Sequence, residues 1–336
     1  MRQFVHFNKK IKLENGEIIP ELTIAYDTYG TLSAEKDNVI WVCHALTANS
    51  DVEQWWPGTV EQGSFLDPLK YFIICANFLG SHYGTTGPLS KNPETGKPYY
   101  GTFPEFTVRD MVMCHQMLAE YLDIKCVKML IGSSIGGFQC LEWAVIQPEF
   151  PQKLVLIATN ARSKPWAIAL NESQRMAIEA DNTFGKKSPE AGLTGMAVAR
   201  SIALLSYRGQ AAYDNTQEDI DADTKLSGYR VTTYQQHQGD KIKSRFNAYS
   251  YYRLTQAVDS HNLARGRGCI EDALRSIRSK TLIIAITSDI LFTPSEHDIM
   301  AKWIPDTEYH LIDSDFGHDG FLVEHQKLKN IILSFL

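Results

Sequence analysis

The run Gly132-Ser133-Ser134-Ile135-Gly136-Gly137 follows directly on the apolar stretch Val127-Lys128-Met129-Leu130-Ile131. Apolar residues at helical spacing, Phe138, Leu141, Trp143, Ala144 and Ile146, lead away from it. A strand, a G-x-S-x-G turn and a helix in that order make a nucleophile elbow. The chain reverses so sharply there that the serine takes strained backbone angles and its hydroxyl stands alone at the sheet edge. Glycine at 132 and 136 lets helix and strand approach closely. The same pattern also arises by chance as a plain tight turn, and it is the flanking strand and helix that single out Ser134 as a nucleophile.

A hydroxyl is a weak nucleophile near neutral pH, so Ser134 needs a base, and the base needs a carboxylate to orient it. On sheets that carry such an elbow, the acid follows a later strand and the histidine follows the last one. Thr281-Leu282-Ile283-Ile284-Ala285-Ile286 is unbroken and apolar, as a buried parallel strand should be, and it runs into Thr287-Ser288-Asp289. After the short strand Tyr309-His310-Leu311-Ile312 comes the loop 313–320, which holds His318. Asp289 and His318 are therefore the expected acid and base. Asp289 could instead cap a helix over Ile290–Ala301, and Asp313 and Asp315 are weaker rivals for the acid. Of the ten histidines, His44 precedes Ser134, where this fold places the oxyanion loop. His82, His115, His237, His261, His297 and His325 are expected in loops or on polar helix faces, in surface or satisfied polar roles.

A chain of 336 residues suffices for one large α/β domain with an insertion. A net charge of −6 and the lack of a basic stripe argue against a nucleic-acid partner. No apolar run is long enough to span a membrane, and the start Met1-Arg2-Gln3-Phe4-Val5-His6 shows no secretory signal. The six cysteines show neither C-x-x-C nor metal-like spacing, so a reduced, cytoplasmic protein without a metal is expected. Residues 1–30 read as an antiparallel prelude with a hairpin turn at Asn15-Gly16. Between residues 38 and 160, apolar strands at 38–43, 72–76, 127–131 and 154–158 alternate with helical stretches. From 161 to about 276 only helical periodicity remains, as in Leu193–Leu205 and Phe246–Val258, with polar breaks between. Strand logic resumes at Thr281. The expectation is a mostly parallel sheet flanked by helices, built from 1–160 and 277–336, with an all-helical lid at 161–276 over the catalytic end of the strands.

Other segments narrow the chemistry. They include His44-Ala45-Leu46-Thr47, Asn77-Phe78-Leu79-Gly80, Gly84-Thr85-Thr86-Gly87-Pro88 and Pro93-Glu94-Thr95-Gly96-Lys97-Pro98-Tyr99. Beyond the elbow come Ala199-Arg200-Ser201-Ile202-Ala203, Tyr207-Arg208, the stretch Arg245–Tyr251, Leu263–Gly268, Ser288–Phe292 and Gly317–Leu322. Taken together they resemble the homoserine O-acetyltransferases of the MetX type, within the α/β-hydrolase fold, across almost the entire chain. Departures are few: Ile135 stands where the family usually has Met, and Ala48 and Ser133 replace usual glycines.

A homoserine acceptor is a small zwitterion, which calls for a guanidinium and an anionic acceptor. Arg200 and Tyr207 lie seven residues apart, two turns along one helix face, and Asp319 adjoins His318. The resemblance implies that this trio, with Thr47, binds homoserine. Read singly they could be a solvent-facing Arg, a core-rim Tyr and a surface Asp. It further implies ping-pong transfer from acetyl-CoA as co-substrate, with no permanently bound cofactor, for methionine biosynthesis. The backbone N–H groups of Leu46 and Ile135 would hold the oxyanion, each contributing roughly 3 kcal/mol. It also implies a homodimer paired through lid helices such as Met196–Leu205. Succinyl-CoA as donor, serine as acceptor, or a plain carboxylesterase or thioesterase remain as alternatives, and a catalytically dead binding module is disfavoured by the intact Ser134, Asp289 and His318.

Overall fold

The computed structural model describes residues 2–336. The N-terminal part holds β1 (Gln3–Phe7), the short pair β2 (Ile11–Lys12) and β3 (Ile18–Ile19), β4 (Leu22–Tyr29), β5 (Val39–Cys43), α1 (Val52–Trp55) and β6 (Phe72–Ala76). Next come α2 (Val108–Tyr121), β7 (Val127–Ser133), α3 (Ile135–Ile146) and β8 (Pro151–Ile157). Six helices follow: α4 (Pro165–Glu179), α5 (Leu193–Tyr207), α6 (Gln210–Gln217), α7 (Arg230–Lys243), α8 (Ala248–Asp259) and α9 (Ile270–Arg275). The chain ends with β9 (Lys280–Ile286), α10 (Pro294–Trp303), β10 (Thr307–Ile312), α11 (Gly320–Val323) and α12 (His325–Phe335).

Eight strands form one sheet in the order β1-β4-β6-β5-β7-β8-β9-β10. β1 and β4 run antiparallel at one edge, and every pairing from β6 to β10 is parallel. The Asn15-Gly16 turn, where Gly16 takes φ 90° and the Leu13 N–H donates to the Glu17 carbonyl, joins β2 and β3, which pair antiparallel as a separate two-stranded sheet. The central strands are buried on both faces, and neighbouring residues alternate between two cores. Trp41 and Cys43 face α2 and α3, whereas Ile40 and Val42 join the core that includes Leu328 and Ile332 of α12. That double burial explains why the strands read as continuous apolar runs.

Between β8 and β9 the chain makes a long helical excursion whose base is closed. Leu263 donates to the carbonyl of Ala161, and Arg162 bridges Asn262. Residues 263–276 thus return to the sheet domain, where α9 packs beside α10. The polar stretches read from sequence as breaks hold α6 and α7. In α7 only Gly239 and Ile242 are buried, so little apolar periodicity was there to find. In α5, Met196, Ala199, Ala203 and Leu204 are buried within the chain, leaving Val198 and Leu205 exposed.

The histidines require a correction. His115, His261 and His297 are not surface residues: each is at most 2% exposed, like His44. His115 sits beside Trp41 and Trp143, and neither ring nitrogen meets a protein hydrogen-bond partner. Tertiary packing buries all three rings. Desolvation pushes the His44 pKa down to about 4, and those of His115 and His261 to about 3, from an ordinary 6.5. The unfolded chain therefore binds more protons than the fold between those values, so stability rises with pH across that window. It is fully present above about pH 6.5 and is lost toward pH 3, at up to about 1.4 kcal/mol per pH unit for each ring. His115→Leu should remove one proton's share of that slope. Urea unfolding at a series of pH values between 7 and 4.5 checks it, since parallel curves for variant and wild type would exclude a neutral buried His115.

Candidate active site

Ser134 lies between β7 and α3 with φ 56° and ψ −128°, a conformation rarely adopted by a residue with a side chain. The turn is possible because a Cβ on Gly136 would sit 2.1 Å from the carbonyl oxygen of Cys43, and one on Gly132 would sit 2.4 Å from Gly136. Ser134 is also the N-cap of α3 but makes no side-chain cap bond, so its hydroxyl is not spent on the helix. The N–H groups of Gly137 and Phe138 donate to the Ser134 carbonyl, while those of Ile135 and Gly136 stand at the positive end of the helix dipole with no side-chain cap.

Asp289 and His318 arrive from the ends of two adjacent strands. β9 and β10 pair in parallel, with Ile286 opposite Ile312, so the loops beyond them emerge side by side. The His318 Nδ1 lies 2.7 Å from Asp289 Oδ2, and both side chains are buried. The other oxygen, Oδ1, accepts from the backbone N–H groups of Leu291 and Phe292. Asp289 is thus not a helix cap; α10 starts later, at Pro294, behind a capping box of Thr293 and Glu296. Asp313 and Asp315, the rival acids, are both exposed. With Nδ1 engaged by the carboxylate, Nε2 is the nitrogen left for a hydroxyl proton, and such an arrangement can activate a serine.

Ser134 and His318 line one cavity of about 490 Å³ together with Leu46, Thr47, Arg200, Tyr207 and Asp319. The structure therefore brings the sequence-selected residues to a single place except for two: Asp289, which stands behind His318 and reaches the cavity through it, and Ile135, which lines a second, narrow recess. That recess, of about 20 Å³, opens beside Ser134 among Leu46, Ile135, Phe138, Ala167, Leu291 and Phe292. Arg200 and Tyr207 do share one face of α5, with the guanidinium carbon 5.2 Å from the centre of the ring. Desolvation by burial raises the Tyr207 pKa, so the ring stays a neutral phenol. Burial also raises the Asp319 pKa, against the pull of Arg200, His318 and Arg208; Arg208 Nε stands 3.4 Å from Asp319 Oδ2.

Sequence reasoning missed Arg245, Lys241 and Gln238, which add a polar wall from α7 and its C-terminal end. Arg245 Nη1 donates to the Thr47 carbonyl at 2.7 Å, and Nη2 reaches the Thr47 hydroxyl at 3.4 Å. It thereby fixes the loop that carries Leu46. The Arg245–Tyr251 segment was visible as a match, but nothing in it signals a contact with residue 47 so far away in the chain.

Known proteins resemble this chain in sequence and in fold. A family model described as the alpha/beta hydrolase fold matches residues 38–325. A homoserine O-acetyltransferase of Cyclobacterium marinum is 44% identical over 99% of this chain and 95% of its own length. The crystal structure of homoserine O-acetyltransferase from Bacillus anthracis superposes with a TM-score of 0.92 at 25% identity, covering 100% of this chain and 97% of that one. Esterase E22 shares the fold, with a TM-score of 0.89 at 23% identity and full coverage of both chains. By both sequence and architecture, this chain belongs to the homoserine O-acetyltransferase family of the α/β-hydrolase fold.

Proposed function

We propose that this enzyme moves an acetyl group from acetyl-CoA to the γ-hydroxyl of L-homoserine through an acetyl-Ser134 intermediate, yielding O-acetyl-L-homoserine for methionine biosynthesis. The observation that carries the proposal is one cavity wall holding both Ser134 with His318 and the zwitterion-matched set Arg200, Tyr207 and Asp319. In the first half-reaction, His318 takes the Ser134 proton as Oγ bonds to the thioester carbonyl carbon. The carbon–sulfur bond then breaks, and CoA leaves with that proton. Backbone N–H groups of Ile135 and Leu46 would receive the negative charge that grows on the carbonyl oxygen, each contributing roughly 3 kcal/mol when aligned. In the second, His318 takes the proton of the homoserine hydroxyl, that oxygen attacks the acetyl-serine, and the proton returns to Ser134. Asp289 keeps the imidazole oriented and stabilises its charged form throughout.

Arg200 suits the homoserine carboxylate because its planar fork can bind both oxygens. Asp319 would take the ammonium, and the Thr47 hydroxyl, oriented by Arg245, would complete the polar wall. The small recess beside Ser134 supports acetyl as the group transferred: it has room for a methyl, and its lining, which includes Asn171 and Tyr207, offers no cation for a succinyl carboxylate. Lys241 and Arg245 at the wider cavity suit the polyanionic carrier. The helices α4–α8 act in this scheme as a lid that holds the acceptor in line. Effective molarities of roughly 10⁵ M against about 55 M water then favour transfer over hydrolysis. A second copy would cover Val198 and Leu205 of α5, and the cytoplasm is the expected site of action.

Ser134→Ala should abolish acyl-enzyme formation in a folded protein. Intact mass after mixing with acetyl-CoA should show one added acetyl group in the wild type only; an acetylated variant removes Ser134 from the mechanism. Thiol release should depend on homoserine, whereas fast release without it would identify a hydrolase.

Arg200→Lys should raise the homoserine KM about tenfold or more, because lysine keeps the charge and loses the bidentate fork. The burst of CoA release should be nearly unchanged. A collapsed burst, or an unmoved KM, would sink the assignment of Arg200 to the acceptor carboxylate.

A further inference from the structure

Two buried histidines that take no part in the proton transfers grip the residues just beyond β8, and those residues hold the nucleophile. The Ser134 backbone is anchored twice to this segment: its N–H donates to the Ile157 carbonyl at 3.0 Å, and its own carbonyl accepts the Thr159 hydroxyl at 2.8 Å. Ala158, between them, also takes a positive φ of 46°. A strained serine is thus braced against a second strained residue, and something must fix both.

His297 of α10 meets this segment from below. The Thr159 N–H donates to its Nε2 at 2.9 Å, and its Nδ1 lies 3.0 Å from the Thr293 carbonyl. A carbonyl only accepts and an amide N–H only donates, so the proton sits on Nδ1 and Nε2 is a bare acceptor. The ring is fully buried, and desolvation lowers its pKa, which keeps that acceptor available. One residue on, the Asn160 carbonyl accepts from His261 Nε2 at 3.1 Å, and the Asn160 amide donates to Glu296 of α10 at 3.0 Å. The His261 ring is stacked on Phe138 of α3 at 4.0 Å, so the same brace reaches the helix behind the elbow.

We infer that His297 is a positioning residue for the nucleophile: its unprotonated Nε2 fixes the Thr159 backbone, and so aims the hydroxyl that holds the Ser134 carbonyl. Its role presupposes the acyl-serine chemistry proposed above. His297 touches neither substrate nor the reacting atoms; it acts through Thr159 on the angle at which Ser134 Oγ is presented to His318.

Asparagine and glutamine separate this role from ordinary packing. The amide nitrogen of His297→Asn can still donate to Thr293, but no acceptor reaches Thr159. The amide oxygen of His297→Gln stands near the place of Nε2 and can accept the Thr159 N–H. Rapid-quench intact mass should show acetyl-Ser134 forming about tenfold or more slowly in His297→Asn, with the homoserine KM changed by less than about twofold. His297→Gln should recover the rate to within about threefold of wild type. Thr159→Val, which keeps the shape and deletes the hydroxyl, should slow acetylation as His297→Asn does, and the double variant should be no slower than either single one. Wild-type acetylation rates in His297→Asn, equal losses in the Asn and Gln variants, or an unaffected Thr159→Val would each overturn the inference. Should His297→Asn fail to fold, Thr159→Val and His297→Gln still decide it. A wild-type enzyme that takes up no acetyl group at all would instead refute the Ser134 chemistry.

Discussion

At Ser134 the chain is held at φ 56° and ψ −128°, a conformation that costs about 1–3 kcal/mol, and it persists only because its surroundings leave no other. Helix α3 presses on β5 and β7 so closely that methyl groups at 132 or 136 would collide with backbone. Ile157 of β8 and Thr159 just beyond it each make a hydrogen bond to the Ser134 backbone, and most of α3 is buried. The strain is useful in a simple sense. A serine relaxed into the helix would spend its hydroxyl capping backbone N–H groups, whereas this one makes no side-chain cap bond and lines the cavity.

The site around it draws on two sources. Asp289 and His318 hang from paired parallel strands, and the buried carboxylate that orients the ring is itself held by two backbone N–H groups. Arg200, Tyr207 and Arg245 come from the helical excursion, where the contacts are with loops such as Thr47 rather than with strands. Ser134, Asp289 and His318 thus all stand at the ends of sheet strands. The groups suited to an acceptor ride on the helical excursion instead.

Much of this was legible in the sequence because it is local or ordered along the chain. Ser134 announces itself through a strand, two glycines and a helix within about twenty residues, and Asp289 and His318 follow from strand order. Arg200 and Tyr207 share a helix face, which spacing alone reveals. What stayed hidden depends on contacts between distant segments. Arg245 looks like any surface arginine until it folds back on Thr47, and the apolar periodicity of α7 is hard to read because that helix buries almost nothing. The burial of His261 and His297 is likewise a product of packing between helices and sheet, whereas that of His115 was readable from Met111, Val112, Leu118 and Ala119, its neighbours on the buried face of α2. His297 is a case in point: its two partners, Thr293 and Thr159, lie on opposite sides of β9 in the chain.

The closed base of the helical excursion has a consequence for how the chain reaches this state. β8 and β9 are neighbours in the sheet, yet the whole excursion must be looped out before they can pair. The entropy of closing a loop grows only with the logarithm of its length, so this detour adds little beyond what a short connection would require. Ala161 and Leu263 are hydrogen-bonded at the foot of the loop, so the ends are tied together whatever the helices above are doing. Sheet assembly and helical assembly are then nearly separate events. The same separation means that a change of length in the segment between those two residues need not alter the register of the strands beneath.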